Sequence, residues 1–182
     1  MVDSKNIVLI GFMGTGKSAV GKILAKRLGR PWVDVDLRIE QAQQKKISEI
    51  FEKEGESAFR RLEKEMICEL ASQAGLVVTT GGGAVLDEEN RKRLREHGIL
   101  VTLAATPETI YQRVKDSRYR PMLKTSGDLM TEIKRLLALR QPFYEKADMT
   151  FQTDGKNASQ VAEAIAEALE KEEEFEFGKD WF

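Results

Sequence analysis

Gly11-Phe12-Met13-Gly14-Thr15-Gly16-Lys17-Ser18 fits the pattern G-x-x-x-x-G-K-[ST], residue types and a spacing that suit a phosphate chain. Glycines let the backbone curl until several N–H groups face one anion. A helix opening directly after the loop adds the partial positive charge of its N-terminus. Lys17 brings a point charge to the β- and γ-phosphates, and the Ser18 hydroxyl suits Mg²⁺. The expected nucleotide contacts are Gly14, Thr15, Gly16, Lys17, Ser18 and Ala19. The loop implies a nucleotide without naming the reaction, since small-molecule kinases, GTP switches and motor ATPases share it. The chain has no N-K-x-D base-reading motif and no room for large mechanical elements.

Other residues suit an anionic, hydroxylated acceptor. Asp34 and Asp36 lie two apart on what reads as one strand, so both should project to the same side. One carboxylate can serve Mg²⁺ and the other can hold and activate an acceptor hydroxyl; as an isolated pair they can equally be strand-end or cap residues. Arg60 and Glu63, three apart on a helix, can pair so that the guanidinium faces an acceptor carboxylate, or form a solvated ion pair. Gly81, Gly82 and Gly83 follow a strand and suit close approach of backbone to a ligand, or a simple turn. Arg118 and Arg120 fall in a polar stretch, 115–127, that reads as a mobile closing loop. Arg140 heads Arg140-Gln141-Pro142-Phe143-Tyr144. Several arginines near one sheet edge suggest two anions, nucleotide and acceptor.

The elements that must position these residues alternate in type. Strand-like runs are Ile7–Ile10, Trp32–Asp36, Leu76–Thr80, Ile99–Leu103 and Met149–Gln152. Helical spacing covers Ser18–Leu28 (stopped by Gly29), about 37–45, 48–53 and 57–74. Further helices run from Asp87 to about His97, from Thr106-Pro107, up to Tyr144, and over 158–171. Alternation of this kind predicts an α/β fold, a parallel sheet covered on both faces, with ligands at the C-terminal strand ends. The expected organisation is one domain over 1–172, with a substrate-binding region at about 34–62 and a lid at about 114–125. Residues 173–182 form an acidic, aromatic tail, either a frayed end or a segment whose aromatics dock on this or a neighbouring subunit.

Composition excludes several classes. Lys plus Arg number 29 against 30 for Asp plus Glu, so no broad basic surface for nucleic acid is expected. One cysteine, Cys68, permits no intrachain disulfide, and one histidine, His97, permits no His/Cys metal site. His97 reads as a surface or cap residue. No stretch approaches the roughly 20 apolar residues of a membrane helix, and the N-terminus does not read as a signal peptide. A cytoplasmic protein, expected to be a monomer, follows.

Taken together, the ordered motifs resemble the shikimate kinases: GFMGTGKS, VDVD, F-R-x-x-E (Phe59, Arg60, Glu63), the glycine triplet, RPML, and R-x-P-x-Y (Arg140, Pro142, Tyr144). The resemblance covers about residues 5 to 170. It implies a P-loop three-layer α/β/α fold with a five-stranded parallel sheet, a substrate-binding helical region and a lid. It also implies transfer of the ATP γ-phosphate to shikimate, with one Mg²⁺. By the same resemblance Asp36 holds the acceptor hydroxyl, and Arg60, Gly82 and Arg140 contact shikimate beside Gly81 and Gly83. Ser18 and Asp34 serve Mg²⁺, Lys17 and Arg120 stabilise the transferring phosphate, and Arg113 stacks on adenine. Glu63 buttresses Arg60, while Phe51 and Phe59 wall the pocket. The chain departs from the pattern at Ala19, where a second Ser or Thr is frequent, at RPML for RPLL, and near Asn157, where some relatives place a proline against adenine. Kinases of the same fold for gluconate, a nucleoside monophosphate or adenylyl sulfate are the alternatives within the class. A silent nucleotide-binding protein is the alternative outside it.

Overall fold

In the computed structural model, residues 5–115 and 128–177 are described, the last helix with its side chains as far as Lys171. Five strands, β1 (Asn6–Ile10), β2 (Trp32–Asp34), β3 (Val77–Thr79), β4 (Gly98–Ala104) and β5 (Met149–Gln152), form one parallel sheet in the order β2-β3-β1-β4-β5. β1 sits at the centre, paired with β3 (Leu9 to Thr79) and with β4 (Ile10 to Thr102). Its five residues are all buried, as expected for a strand covered on both faces.

Alternation along β1 divides the core in two. Ile7 and Leu9 pack with Val20 and Leu24 of α1 (Lys17–Leu28) and with Val161 and Ile165 of α7 (Ala158–Phe177). Val8 and Ile10 face the other layer. That layer is built by α2 (Val35–Gln43), α3 (Ile47–Ala71), α4 (Glu88–Glu96), α5 (Pro107–Val114) and α6 (Leu129–Tyr144). Helix ends follow local chemistry. Gly29 closes α1 at φ 64°, donating to the Ala25 and Lys26 carbonyls. Thr106 caps α5 ahead of Pro107. Asn157 and Gln160 exchange side-chain to backbone bonds of 2.9 and 3.0 Å at the start of α7.

Three expectations change. The second strand ends at Asp34, not Asp36, and Asp34 becomes the N-cap of α2, accepting from the Leu37 N–H at 3.2 Å. Asp34 and Asp36 are therefore not neighbours on one pleat: a capping carboxylate wins over continued strand because it satisfies an otherwise unpaired helix N–H. The helices expected at 48–53 and 57–74 are one helix, α3, interrupted at Gly55 (φ 83°, ψ 171°), a conformation that glycine adopts without a Cβ penalty. The last helix continues to Phe177, past its expected end at 171 and five residues into what reads as tail, because Glu and Lys propagate a helix well. His97 is exposed and follows α4 as its C-cap, as expected. The proposed lid falls almost entirely outside the described residues.

Asn6 staples the β1 start to the α3–β3 connection. Its Nδ2 donates to Gln73 O at 2.8 Å and to Leu70 O at 3.4 Å, and its Oδ1 accepts from Leu76 N at 2.9 Å; Asn6 itself is buried. Asn6→Leu keeps the size but strands these groups, and should lower unfolding free energy by about 2–4 kcal/mol. Urea denaturation with an unchanged m-value checks this; a loss under about 1 kcal/mol would show that the staple is not holding the junction.

Candidate active site

The loops after β1, β2 and β3 open on one cleft of about 1060 Å³. The first loop turns tightly. Gly11 has φ 135°, and a Cβ there would lie 2.3 Å from the Leu103 carbonyl oxygen, so only glycine lets β1 turn against β4. Gly14 and Gly16 also have positive φ, at 81° and 95°. The Thr15 hydroxyl, buried, donates to Phe12 O at 2.8 Å and closes the loop on itself. Gly16 precedes α1 with no side-chain cap and no acidic residue in the first turn, leaving the helix N-terminus aimed at the cleft that Ser18 and Ala19 line. Lys17 folds back across the loop, donating to Gly11 O at 2.8 Å and Phe12 O at 2.9 Å.

Asp34 stands at the mouth of this loop. Its Oδ2 accepts from the Ser18 hydroxyl at 2.9 Å and from the Thr79 hydroxyl at 2.8 Å. Thr79 escaped the sequence reading because nothing in β3 marks it apart from other β-branched strand residues. Ser18 and Asp34 thus offer adjacent oxygen donors, the chemistry a hard divalent cation takes alongside phosphate and water. Among the described residues no cluster of three or more His, Cys, Asp or Glu forms an all-protein metal cage.

Asp36, in the first turn of α2, reaches the same cleft by a different route from the one its strand position implied. Its Oδ1 is enclosed and has no hydrogen-bond partner. Burial raises its pKa from 3.8 to about 7; the negative charges of Asp34 and Glu63 push the same way, and Lys17 and Arg60 oppose them.

Arg60 is held on α3 by two carboxylates. Its Nη1 donates to Glu63 Oε2 at 2.7 Å, and its Nε and Nη2 donate to Glu56 Oε1 at 3.2 and 3.0 Å. The Glu63 side chain is only 1% exposed while that of Arg60 keeps 30%, so the pair is enclosed at its carboxylate and open at its guanidinium. Burial raises the Glu63 pKa while Arg60 pulls it down. Glu56, the i,i+4 partner of Arg60, carries its signal in the helical spacing of the sequence. Phe51 and Phe59 stack with centroids 4.9 Å apart and line the cleft beside Arg60.

None of the three glycines after β3 has positive φ. Their need is clearance for charged side chains. A Cβ on Gly81 would lie 3.0 Å from Asp36 Oδ1 and 3.1 Å from Glu63 Oε1. On Gly83 it would lie 2.7 and 2.8 Å from the Arg60 Nη atoms, and on Gly82 it would press on Met13 N, Gly11 O and Arg140 Nη1 at 3.3–3.6 Å. Arg140 is 4% exposed and its guanidinium lies 5.5 Å from the Phe12 ring centroid. On the opposite side of the phosphate loop, Arg113 donates to Gly14 O at 3.1 Å, to the Thr153 hydroxyl at 3.0 Å and to Thr153 O at 2.9 Å. Its guanidinium therefore joins the loop to the end of β5. Arg118 and Arg120 lie outside the described residues.

The shikimate kinase family model matches residues 13–170. The shikimate kinase of Thermodesulfovibrio yellowstonii is 48% identical over 167 residues, 92% of this chain and 96% of that protein. The structure of shikimate kinase from Acinetobacter baumannii in complex with shikimate superposes with a TM-score of 0.89 at 38% identity, covering 92% of this chain and 94% of that one. A gluconokinase from Sinorhizobium meliloti, at 17% identity and TM-score 0.63 over 98% of this chain and 99% of that one, shares the fold alone. This chain belongs to the shikimate kinase family of ATP-dependent kinases.

Proposed function

We propose that this cleft transfers the terminal phosphate of ATP to the 3-hydroxyl of shikimate, giving shikimate 3-phosphate and ADP on the route to chorismate and the aromatic amino acids. The observation that carries the reading is that one cleft brings together a phosphate loop, a buried carboxylate and two anchored arginines. A phosphate loop explains the donor. The acidic and guanidinium groups explain an acceptor with both a hydroxyl and a carboxylate, a description that gluconate shares, and the family separates the two. The family, and the relative described with shikimate bound, support the same acceptor.

Each residue takes a role from its chemistry. The N–H groups of Gly14, Thr15, Gly16, Lys17, Ser18 and Ala19 bind the phosphates, and Lys17 bridges toward the terminal one. Arg113, already bound to Gly14 and Thr153, borders the adenine side. Asp36 orients the acceptor hydroxyl and accepts its proton at Oδ, the enclosed oxygen that lacks a donor. Arg60 and Arg140 grip the acceptor carboxylate with charge-assisted hydrogen bonds, and the glycine backbone at 81–83 lets the acceptor lie against it. Ser18 and Asp34 would hold Mg²⁺, which when bound neutralises phosphate charge. Arg120, from the lid at about 114–125, adds positive charge at the transferring group. Catalysis here is positioning and electrostatics, as in phosphoryl transfer generally.

No described helix is long and apolar enough to cross a membrane. With the balanced charge, we read a cytoplasmic monomer, one domain over 1–172, that binds small molecules and no nucleic acid.

ADP release from Mg·ATP, measured with shikimate, gluconate, AMP and no acceptor, should depend on shikimate alone; release with gluconate or AMP instead would overturn the acceptor assignment. Lys17→Ala should lower kcat on the order of 10³-fold, as removal of one donor to developing charge does; near-normal turnover would remove Lys17 from the mechanism. Gly83→Ala places a methyl group against the Arg60 guanidinium. It should raise the shikimate KM about tenfold or more while leaving the ATP KM within about twofold. Equal rises in both constants would mean that the substitution disturbs the phosphate loop and not the arginine.

A further inference from the structure

The geometry points to Tyr144 as a positioning residue for the acceptor site: its hydroxyl holds the Gly82 carbonyl and so fixes the Gly82–Gly83 peptide between Arg140 and Arg60, setting the spacing of the two guanidinium groups. This rests on the roles given above to those arginines.

Four observations carry it. The Tyr144 hydroxyl donates to Gly82 O at 2.6 Å, a short bond for O–H···O, from a side chain that is buried. The neighbouring carbonyls are taken locally, Gly81 O by the Ala84 N–H at 3.2 Å and Gly83 O by the Leu86 N–H at 3.0 Å. Among the described bonds of this loop, the Gly82 carbonyl is bound from outside it, by Tyr144. Since a peptide unit is planar, holding that carbonyl fixes the whole Gly82–Gly83 plane.

The two ends of this peptide face the two arginines. A Cβ on Gly82 would stand 3.6 Å from Arg140 Nη1, and one on Gly83 would stand 2.7 Å from Arg60 Nη2. The peptide is thus a spacer between a guanidinium from α6 and one from α3. Arg140 and Tyr144 lie one turn apart on α6, on the same face, so the helix that supplies one arginine also supplies the hydroxyl that sets its distance from the other.

Tyr144 is itself anchored. The Thr102 hydroxyl of β4 donates to the Tyr144 carbonyl at 2.7 Å, which ties the end of α6 to the sheet. Burial pushes the phenol up to about 12 against the opposing pull of Arg140, so the hydroxyl keeps its proton and remains a donor at neutral pH.

The test compares Tyr144→Phe, Thr102→Val, Arg140→Lys and wild type by steady-state kinetics with shikimate and ATP varied separately, alongside thermal melting. Tyr144→Phe should raise the shikimate KM about tenfold, lower kcat by less than about threefold and leave the ATP KM within about twofold. Thr102→Val should melt earlier and raise the shikimate KM by less than Tyr144→Phe does, since it loosens the end of α6 but keeps the donor to Gly82; a rise as large as that of Tyr144→Phe would assign the effect to α6 and not to the hydroxyl. In the double variant Tyr144→Phe/Arg140→Lys the effects should fall short of additive, because one residue acts through the other. Placing 4-aminophenylalanine at 144 restores a donor in nearly the same volume, and should bring the shikimate KM back toward wild type even if the phenylalanine variant folds poorly. The proposal is overturned if Tyr144→Phe melts earlier with an unchanged shikimate KM, if both KM values rise together, or if the restored donor rescues nothing. If Arg140→Lys leaves the shikimate KM unchanged, the assignment of Arg140 fails first and the proposal with it.

Discussion

Buried charge from three helices closes on main chain at the glycine run after β3. Asp36 and Glu63 on one side and Arg60 and Arg140 on the other lie within van der Waals reach of where Cβ atoms of residues 81–83 would be. Charges enclosed in protein are tolerable only when they are paired or hydrogen-bonded. Here the Arg60–Glu63 pair and the Asp36 carboxylate lie close enough that a Cβ at Gly81 or Gly83 would crowd them. The short β3 strand, the three-residue helical turn at Ala84–Leu86 and the long α3 are arranged around that clearance.

The phosphate loop depends on the same neighbourhood. Gly82 borders Met13 N and Gly11 O, so the acceptor half and the nucleotide half of the cleft share a wall of backbone. Asp34 ties the halves from another direction, capping α2 while accepting from Ser18 of α1 and Thr79 of β3. One carboxylate therefore fixes a helix start, a strand end and the phosphate-binding helix. Its role as a cap does not compete with a role toward a cation, because the two oxygens divide the work: Oδ1 faces the α2 backbone and Oδ2 faces Ser18.

Electrostatics then separates two aspartates that look alike in the sequence. Asp34 is surrounded by donors. Asp36 is enclosed near two other carboxylates, with an oxygen left unpartnered, and its pKa rises to about 7. Under the proposed function, a group poised there would accept the proton of an alcohol whose own charge develops only during transfer. The difference arises from a single change of backbone direction between residues 34 and 36, from strand to helix.

The chain by itself determined the class of chemistry and the layered α/β fold. The glycine-Lys-Ser loop has local requirements, positive φ and a following helix start, that are written in adjacent residues, and the five strands alternate with helices by hydrophobic period alone. It also named the residues that meet in the cleft: Asp34, Asp36, Arg60, Glu63, Gly81 to Gly83 and Arg140. What only the tertiary structure decided is how they meet. That Asp34 also ties α2 to β3 and α1 depends on Thr79 and Ser18, partners 45 and 16 residues away. Whether Arg60 and Glu63 are solvated or enclosed depends on the layers above them. The reason for each glycine lies in side chains from α2, α3 and α6, and the bond from Tyr144 to Gly82 spans 62 residues. Such contacts leave no period or spacing in the sequence, because packing brings the partners together from separate elements.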